Sequence, residues 1–247
     1  MARHMWGLGV SLGTITCLPL RYRFGRPEAR IRLRCGIVMT APWEEPLLEL
    51  VGETWAEMVY GSTVAERGQT IMDIGANVGV FTLFAASRSP HASIIAIEPT
   101  PRSYGYLCSN ARSNKLSNVI PVQAACGATQ GRATIYRRGS EAMNCLYPGG
   151  TPLFEVDVLT LDNLFVRFQI ESCRLLKLDC EGAEYDILYA ACAGTLAAIA
   201  EIRMEYHVGI NRHHPEELSR FLQSHGFPVD CRPMLDDETG YLHARRT

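Results

Sequence analysis

The segment Thr70–Val80, TIMDIGANVGV, decides the fold of this 247-residue chain. Its apolar start ends in Asp73 and passes directly into a loop that contains Gly75, Asn77 and Gly79. An apolar segment compatible with a helix, VFTLFAA, follows. This order is typical of a buried parallel strand that turns tightly into a helix beneath a bound nucleotide. The glycines lack a Cβ, so the backbone can turn sharply and approach a ligand closely.

Asp73 lies two residues before the first glycine of this loop. A carboxylate at this point would repel a pyrophosphate, but it suits a cationic ligand such as S-adenosylmethionine, which carries a sulfonium and an ammonium group. The motif therefore favours methyl transfer, with S-adenosylmethionine as the cofactor. A nicotinamide-dependent oxidoreductase is the alternative enzyme, and it would be expected to have a third glycine and no acid at position 73.

Strands and helices alternate after Thr70. The predicted strands after the first lie at 93–97, 118–125, 131–136, 156–158, 175–178 and 199–206, and the predicted helices at 103–114, 183–193 and 215–225. Such alternation predicts an α/β fold with a mostly parallel sheet and helices on both faces. We expect residues 67–247 to form this catalytic domain and residues 1–66 to form an N-terminal extension on the substrate side.

The extension contains an arginine-rich stretch, Arg21–Met39, and its partial alternation around Arg30–Arg34 predicts a strand or hairpin with one charged face. A solvated face is favoured over a docking site for an acidic substrate or phosphate. Residues 42–60 have apolar side chains near helical spacing and are predicted to form a helix. The turn-rich segment 139–151 is predicted to be an active-site loop or lid.

Ligands of open parallel sheets bind at the carboxyl ends of the strands, so polar residues at those ends are the candidates. Glu98 ends the second strand, 25 residues after Asp73, a spacing that suits a carboxylate accepting both ribose hydroxyls of an adenosine. Pro99 follows it and stiffens the turn. The predicted cofactor-binding residues are Asp73, Gly75, Asn77, Gly79, Glu98 and Pro99.

The strand at 175–178 is followed by Asp179 and Glu181, and the strand at 199–206 is followed by His207. These three are the candidates for accepting a proton from the acceptor, in the order His207, Glu181, Asp179, because the pKa of a histidine lies near working pH. Glu184 and Asp186 are interpreted as helix-capping carboxylates. Asp179, Glu181, Glu205 and His207 also offer oxygen and imidazole ligands for a divalent metal, but their spacing does not require an ion and no metal is predicted.

Taken together, the motifs resemble the FkbM-type family of S-adenosylmethionine-dependent methyltransferases. The matching segments are MDIGANVGVFTLFAA, IIAIEPTPRSYGYLCSNARSN, NVIPVQAACG, TLDNLF, LLKLDCEGAEYDIL and EIRMEYH, in order from about Thr70 to His207. The resemblance implies a seven-stranded class I (Rossmann-like) sheet, a donor bound through Asp73, Gly75, Asn77 and Gly79, and Glu98 on the ribose. It also implies O-methylation, often of sugar or natural-product hydroxyls.

The composition sets limits on partners and compartment. A formal net charge of −2 gives no general attraction to nucleic acid or acidic membranes. Nine scattered cysteines without a C-x-x-C pair favour reduced thiols and a cytoplasmic protein. The apolar run at 5–20 is short for a bilayer span and lacks a signal-peptide cleavage site, so neither a membrane span nor export is favoured.

The predicted partner is a small-molecule acceptor with a hydroxyl group. Nucleic acid is not favoured, and an oligomer is left open. The alternative outside enzymology is a methyltransferase-like module that binds protein or RNA, whose only support is the arginine-rich stretch.

Overall fold

The computed structural model describes residues 27–62, 64–137, 144–234 and 238–246. The strands are β1 Glu28–Arg32, β2 Val38–Pro42, β3 Thr70–Ile74, β4 Ser93–Ile97, β5 Val119–Val122, β6 Ala125–Cys126, β7 Gly131–Arg137, β8 Asn144–Cys145, β9 Thr151–Leu159, β10 Cys173–Leu178, β11 Glu201–His207, β12 Val229–Pro233 and β13 Thr239–Arg245. The helices are α1 Leu47–Val51, α2 Val80–Arg88, α3 Pro101–Ser113, α4 Leu161–Arg167, α5 Glu184–Ala190, α6 Ala193–Ala197 and α7 Pro215–Ser224.

The main sheet has seven strands in the order β12-β13-β11-β10-β3-β4-β5, which confirms the predicted mostly parallel α/β sheet. Only β13 runs antiparallel to its neighbours, β11 and β12. All five residues of β3 are buried, because helices cover both faces of the sheet. The chain runs outward from β3 to β4 and β5 and later returns to β10 on the other side of β3. The carboxyl end of β3 therefore opens into the crevice where such sheets bind ligands.

A second sheet was not predicted. It has four strands in the order β6-β9-β7-β8. The strand predicted over 118–125 is divided between the two sheets, with β5 in the main sheet and β6 in the second. The strand predicted at 131–136 is present as β7, and it pairs antiparallel with β9. The shorter strand β8 joins the second sheet. It follows residues 138–143, which lie outside the described residues and include positions 139–143 of the predicted loop.

The N-terminal extension begins with an antiparallel hairpin of β1 and β2, as the alternating pattern predicted. Ile31 is buried while Arg30 and Arg32 are exposed, so the arginines form a solvated face here. Residues 21–26 lie outside the described part of the chain. The helix predicted over 42–60 is shorter than expected: α1 ends at Val51, and a π-helical turn, Gly52–Glu57, closes at Met58 with φ of 52°.

The hairpin is attached to the helices that flank the main sheet by a shared core and by paired amides. Ile31 and Met39 belong to the same hydrophobic cluster as Leu83 of α2. On α3, the side-chain amide of Asn110 accepts from Thr40 N (2.9 Å) and donates to Thr40 O (2.8 Å). Asn114 does the same for Val38, at 2.8 and 2.6 Å. These amides satisfy backbone groups on the outer edge of β2 as a neighbouring strand would.

The C-terminal part follows its prediction closely. The helix α7 spans Pro215–Ser224, in agreement with the predicted helix at 215–225, and Gly226 with φ of 82° follows it. The chain ends in a hairpin of β12 and β13, with β12 at the sheet edge. Among the described residues, no helix has the length and apolar character required to cross a bilayer.

Candidate active site

Asp73 lies at the end of β3 and is completely buried. Register pairing places it opposite Lys177 of β10, and Lys177 Nζ lies 3.1 Å from Asp73 Oδ1. The hydroxyl of Thr82 donates to the other oxygen, Oδ2, at 2.5 Å. Burial on its own lowers the pKa of Lys177, but the charges of Asp73 and Asp179 outweigh it and raise that pKa above its ordinary value. Asp73 is therefore half of a buried ion pair beneath the cleft.

The glycines of the loop are required by close packing. Gly75 has φ of 77°, and a Cβ placed on it would lie 1.7 Å from the carbonyl oxygen of Asp179. Its own carbonyl accepts a hydrogen bond from Lys177 Nζ at 2.7 Å. Gly79 precedes α2 with φ of 92°, and a Cβ there would meet Leu107 Cδ1 at 2.7 Å. Both positions thus need glycine for conformation and for space.

Glu98 is oriented by two backbone donors. Its Oε2 accepts from Asn77 N and its Oε1 from Thr100 N, both at 2.8 Å. The residue is buried, and burial raises the pKa of this carboxyl to about 7, although the hydrogen bonds from Thr100 and Asn77 oppose the shift. The side chain of Thr100 adds a third hydrogen bond, so the carboxylate, with about four acceptor positions, retains capacity for a ligand. Asn77 has φ of 48°, and its side-chain amide donates to Glu45 Oε2 at 3.1 Å.

These residues surround an open cleft with about 790 Å³ of space between protein atoms, part of it open to solvent. The main-sheet residues that line it are Ile74, Gly75, Asn77, Ile97, Glu98, Pro99, Thr100, Ser103, Asp179, Cys180, Glu181 and Ala183. The extension contributes Glu45, and the second sheet with its loops contributes Ala125, Cys126, Ile135, Asn144, Cys145 and Leu146. Within the described residues this lining contains four carboxylates and no lysine or arginine, so the cleft suits a cationic or neutral ligand.

A cluster of acids lies at the carboxyl ends of β10 and β11, on one side of the cleft. Tyr60, at the end of the extension, donates its hydroxyl to Asp179 Oδ2 at 3.0 Å and lies 3.4 Å from Glu205 Oε2. Burial is the largest cause that raises the pKa of Glu181 to about 7 and the pKa of Glu205 to about 8. The negative charges of the neighbouring acids raise both values further. The same causes raise the pKa of Tyr60 above its ordinary value. These acids are held close together with few compensating cations.

His207 is the end of β11 and is buried beside this cluster. Its Nδ1 lies 3.2 Å from Glu184 Oε1, and that oxygen also accepts from Cys180 N at 2.7 Å. Burial lowers the pKa of His207, but the hydrogen bond and charge of Glu184, and then the charges of Glu181 and Asp179, raise it to about 10. The imidazole is therefore protonated near neutral pH, which removes the lone pair that a general base needs.

The structure brings most of the predicted residues to one cleft. Gly75, Asn77, Glu98, Pro99, Asp179 and Glu181 line it. Asp73 and Gly79 are not among the lining residues, because Asp73 pairs with Lys177 and Gly79 packs against Leu107. Their contact with the donor stays a prediction. His207 is set back behind Glu181, with Nε2 3.5 Å from Glu181 Oε2.

Three residues of the site were missed by the sequence reasoning. Glu45 and Tyr60 come from the extension, where no local pattern marks them. Glu184 was interpreted as a helix cap, but it is completely buried and its carboxylate orients His207. The available signal was the position of Glu184 two residues after Gly182. A glycine there marks a tight turn that keeps the start of the helix close to the end of the strand.

More than half of the chain matches the model of a known protein family. Residues 73–229 match the family model described as the methyltransferase FkbM domain. The 31-O-demethyl-FK506 methyltransferase FkbM of Streptomyces tacrolimicus is 24% identical over 219 residues, which cover 73% of this chain and 82% of that protein. A tRNA(Phe) (4-demethylwyosine(37)-C(7)) aminocarboxypropyltransferase of Methanocaldococcus jannaschii is 39% identical over 61 residues, which cover 25% of this chain and 24% of that enzyme.

The crystal structure of a methyltransferase FkbM from Methylobacillus flagellatus shares the fold, with a TM-score of 0.54, 15% identity, and coverage of 73% of this chain and 44% of that one. The chain spans little more than half the length of two further related methyltransferases, 58% and 56%, and 10% of a Pseudomonas aeruginosa synthetase.

Proposed function

The chain belongs to the FkbM-type family of S-adenosylmethionine-dependent methyltransferases, and from this premise we propose that it methylates a hydroxyl group of a small molecule, such as a sugar or a natural product. The Streptomyces relative is named for an oxygen of FK506, so its acceptor atom is an oxygen. The observation that carries the proposal for this chain is the presence of Asp179 and Glu181 in the same cleft as the donor-binding residues.

The cleft fits the methyl donor in shape and charge. Glu98 has more acceptor positions than its two backbone donors and the Thr100 side chain use, which suits hydrogen bonding to a ribose. The four carboxylates of the lining favour a ligand that carries positive charge. S-adenosylmethionine supplies the methyl group from its sulfonium. Gly75, Asn77, Glu98 and Pro99 would contact it, while the Asp73–Lys177 pair fixes the loop from beneath.

Glu181 is the preferred proton acceptor among the three candidates Glu181, Asp179 and His207. A neutral alcohol is a poor nucleophile, so its proton must leave as its oxygen attacks the methyl carbon and the carbon–sulfur bonding pair stays on sulfur. The pKa of Glu181, about 7, means that this carboxyl is partly ionised at neutral pH and basic enough to take the proton. The preference among candidates therefore becomes Glu181, then Asp179, then His207, since His207 is already protonated.

The charge of the cleft favours a small acceptor over RNA. A nucleic-acid acceptor brings phosphates to the site and is normally met by lysine and arginine. Here the lining residues are acidic or uncharged, and the formal net charge of the whole chain is −2. Ile135 and Leu146 add apolar surface from the second sheet, as is common in small-molecule sites.

We propose that the extension, of which residues 27–62 and 64–66 are described, caps this cleft. Glu45 lines the cleft and accepts from the Asn77 side chain, while Tyr60 reaches the acidic cluster from the opposite end of the extension. Acceptor selection would then depend on the extension and on the loop that contains residues 144–146.

The test is methyl transfer from a deuterated-methyl donor to panels of hydroxylated glycosides and polyols, with tRNA as a parallel substrate and mass spectrometry to locate the label. We expect label on oxygen in the small-molecule panel. Glu181→Gln should lower kcat about 10²–10⁴-fold, the range of general base catalysis, and leave the affinity for S-adenosylhomocysteine unchanged. The matched control is Glu155→Gln, because Glu155 is an exposed acid on β9. Label only in tRNA, or only on nitrogen or carbon, would refute the proposal.

A further inference from the structure

The acidic cluster has the composition of a cation site. Asp179, Glu181 and His207 each present one ligand atom, and the three atoms lie within 4.8 Å of one another. Glu205 adds a fourth candidate, with Oε1 3.8 Å from His207 Nε2. Asp179 and Glu181 follow β10, and Glu205 and His207 end β11, so two adjacent parallel strands bring all four residues to one place.

The position of His207 is an independent sign that the cluster faces a ligand. Its side chain is 93% buried, and Glu184 holds its Nδ1, which directs Nε2 into the cluster. Within the described residues Nε2 makes no hydrogen bond: its closest acids are Glu181 Oε2 at 3.5 Å and Glu205 Oε1 at 3.8 Å. These separations are long for hydrogen bonds. They are close to the distances between neighbouring ligands of one ion, which are about 3.0–3.4 Å for metal–ligand bonds of about 2.1–2.4 Å.

The surrounding residues hold the ligands as the second layer of a metal site does. Glu184 orients His207 and is itself fixed by Cys180 N. Tyr60 donates to Asp179 and lies near Glu205, and Lys177 Nζ is 3.6 Å from Asp179 Oδ2. A carboxylate behind a ligating histidine fixes the tautomer and orientation of the ring.

We propose that Asp179, Glu181 and His207, with Glu205 as a fourth ligand, bind one divalent cation of the Mg²⁺ or Mn²⁺ class. Carboxylate oxygens suit both ions, and the imidazole nitrogen favours Mn²⁺. Four carboxylates, Asp179, Glu181, Glu184 and Glu205, surround His207 with Lys177 as the nearby lysine. Binding would release the proton from His207 Nε2, since a ligating imidazole nitrogen must be neutral. A divalent cation would then offset this negative charge more completely than that proton does.

The role of the ion rests on the proposed function. Two of its ligands line the donor cleft, so an acceptor hydroxyl could occupy an open coordination position beside the methyl group. Coordination lowers the pKa of a bound hydroxyl, as it does for metal-bound water. A weakly basic carboxylate oxygen would then suffice to take the proton, and the bond changes at carbon and sulfur remain those described above.

The site is tested by binding of Mn²⁺ alone to the chelator-treated full chain, with the free ion counted by electron paramagnetic resonance and the heat measured by calorimetry. We expect one ion per chain. His207→Ala and Glu181→Gln should each weaken binding more than about 10-fold, and Glu184→Gln, acting through His207, about 10–100-fold. The matched control is His213→Ala, because that imidazole also pairs with a carboxylate, Asp186 at 2.9 Å, but lies outside the cluster.

Circular dichroism and S-adenosylhomocysteine binding check that each variant is folded. If His207→Ala does not fold, Glu181→Gln decides, because Glu181 is partly exposed and carries less of the core. Absence of Mn²⁺ binding to the native chain, or equal binding by Glu181→Gln, overturns the proposal. Hydroxyl methylation at full rate with chelator present also overturns it and leaves the proposed function standing. Specific Mn²⁺ binding without methylation of any hydroxyl leaves the site standing and refutes the proposed function.

Discussion

Replacing Lys177 with methionine tests how the donor loop is held. Methionine has similar length but no charge, so Asp73 would keep its hydrogen bond from Thr82 and lose its cation. The Lys177 side chain is 4% exposed and that of Asp73 is fully buried, so water cannot replace the lost partner. Removing one member of a buried ion pair costs about 3–5 kcal/mol. For a chain of this size that corresponds to a fall in Tm of about 6–20 °C.

The measurement is urea unfolding of the native chain, Lys177→Met and the double variant Asp73→Asn/Lys177→Met. The double variant leaves no charge on the fully buried side chain at position 73, and Asp179, the other acid near Lys177, is partly exposed to water. It should therefore recover at least half of the lost stability. Arg132→Met is the matched control: its Nη2 also lies 3.1 Å from a carboxylate, Glu155, but both side chains are about two-thirds exposed. The control should lose less than about 1 kcal/mol. Equal losses at positions 177 and 132, or a double variant no more stable than Lys177→Met, would refute the reasoning.

Two further predictions concern the glycine loop and Glu98. Gly75→Ala should lose several kcal/mol of stability and most affinity for S-adenosylhomocysteine, because the added Cβ would lie 1.7 Å from Asp179 O. The control is Gly209→Ala, where φ is 80° but no atom lies within 4 Å of the added Cβ. It should lose only about 1–3 kcal/mol. Similar losses in urea unfolding would mean that the loop has room to move. Since burial raises the pKa of Glu98 to about 7, its carboxyl is neutral below that pH and ionised above it. Affinity for S-adenosylhomocysteine, measured by calorimetry, should therefore rise as pH increases through about 7 and lose this dependence in Glu98→Gln. The same pH dependence in Glu98→Gln would assign it to another group.

The central strands and the donor loop were predictable because their signals are local. In β3 and β4 an apolar run ends in an acid and a turn, so the sequence alone marks both the strand and the ligand end. The spacing of Asp73 and Glu98 then placed two carboxylates at the same edge of the sheet, and Glu98 does line the cleft.

The partners of those acids could not be predicted because they come from distant parts of the chain. Lys177 lies within the predicted strand at 175–178, but only the pairing of β3 with β10 sets it opposite Asp73. That pair gives Asp73 a buried partner at the base of the loop, which the sequence did not show. Likewise, the second sheet depends on pairing between β7 and β9, and the strand signal at 131–136 does not reveal which strand it joins.

The hydrogen bonds from Asn110 and Asn114 of α3 to β2 determine where residues can be inserted in the extension without disturbing the cleft. Four residues along a helix advance about 6 Å, close to the roughly 6.6 Å of two residues along a strand, so Asn110 and Asn114 match Thr40 and Val38 in one register only. An inserted residue at the hairpin tip, around Gly36, would leave this match intact. An insertion between Thr40 and Glu45 would keep the hairpin anchored and carry Glu45 away from Asn77. Variation in chain length before the anchor would thus be neutral for the donor cleft, whereas variation after it would change the wall of the cleft.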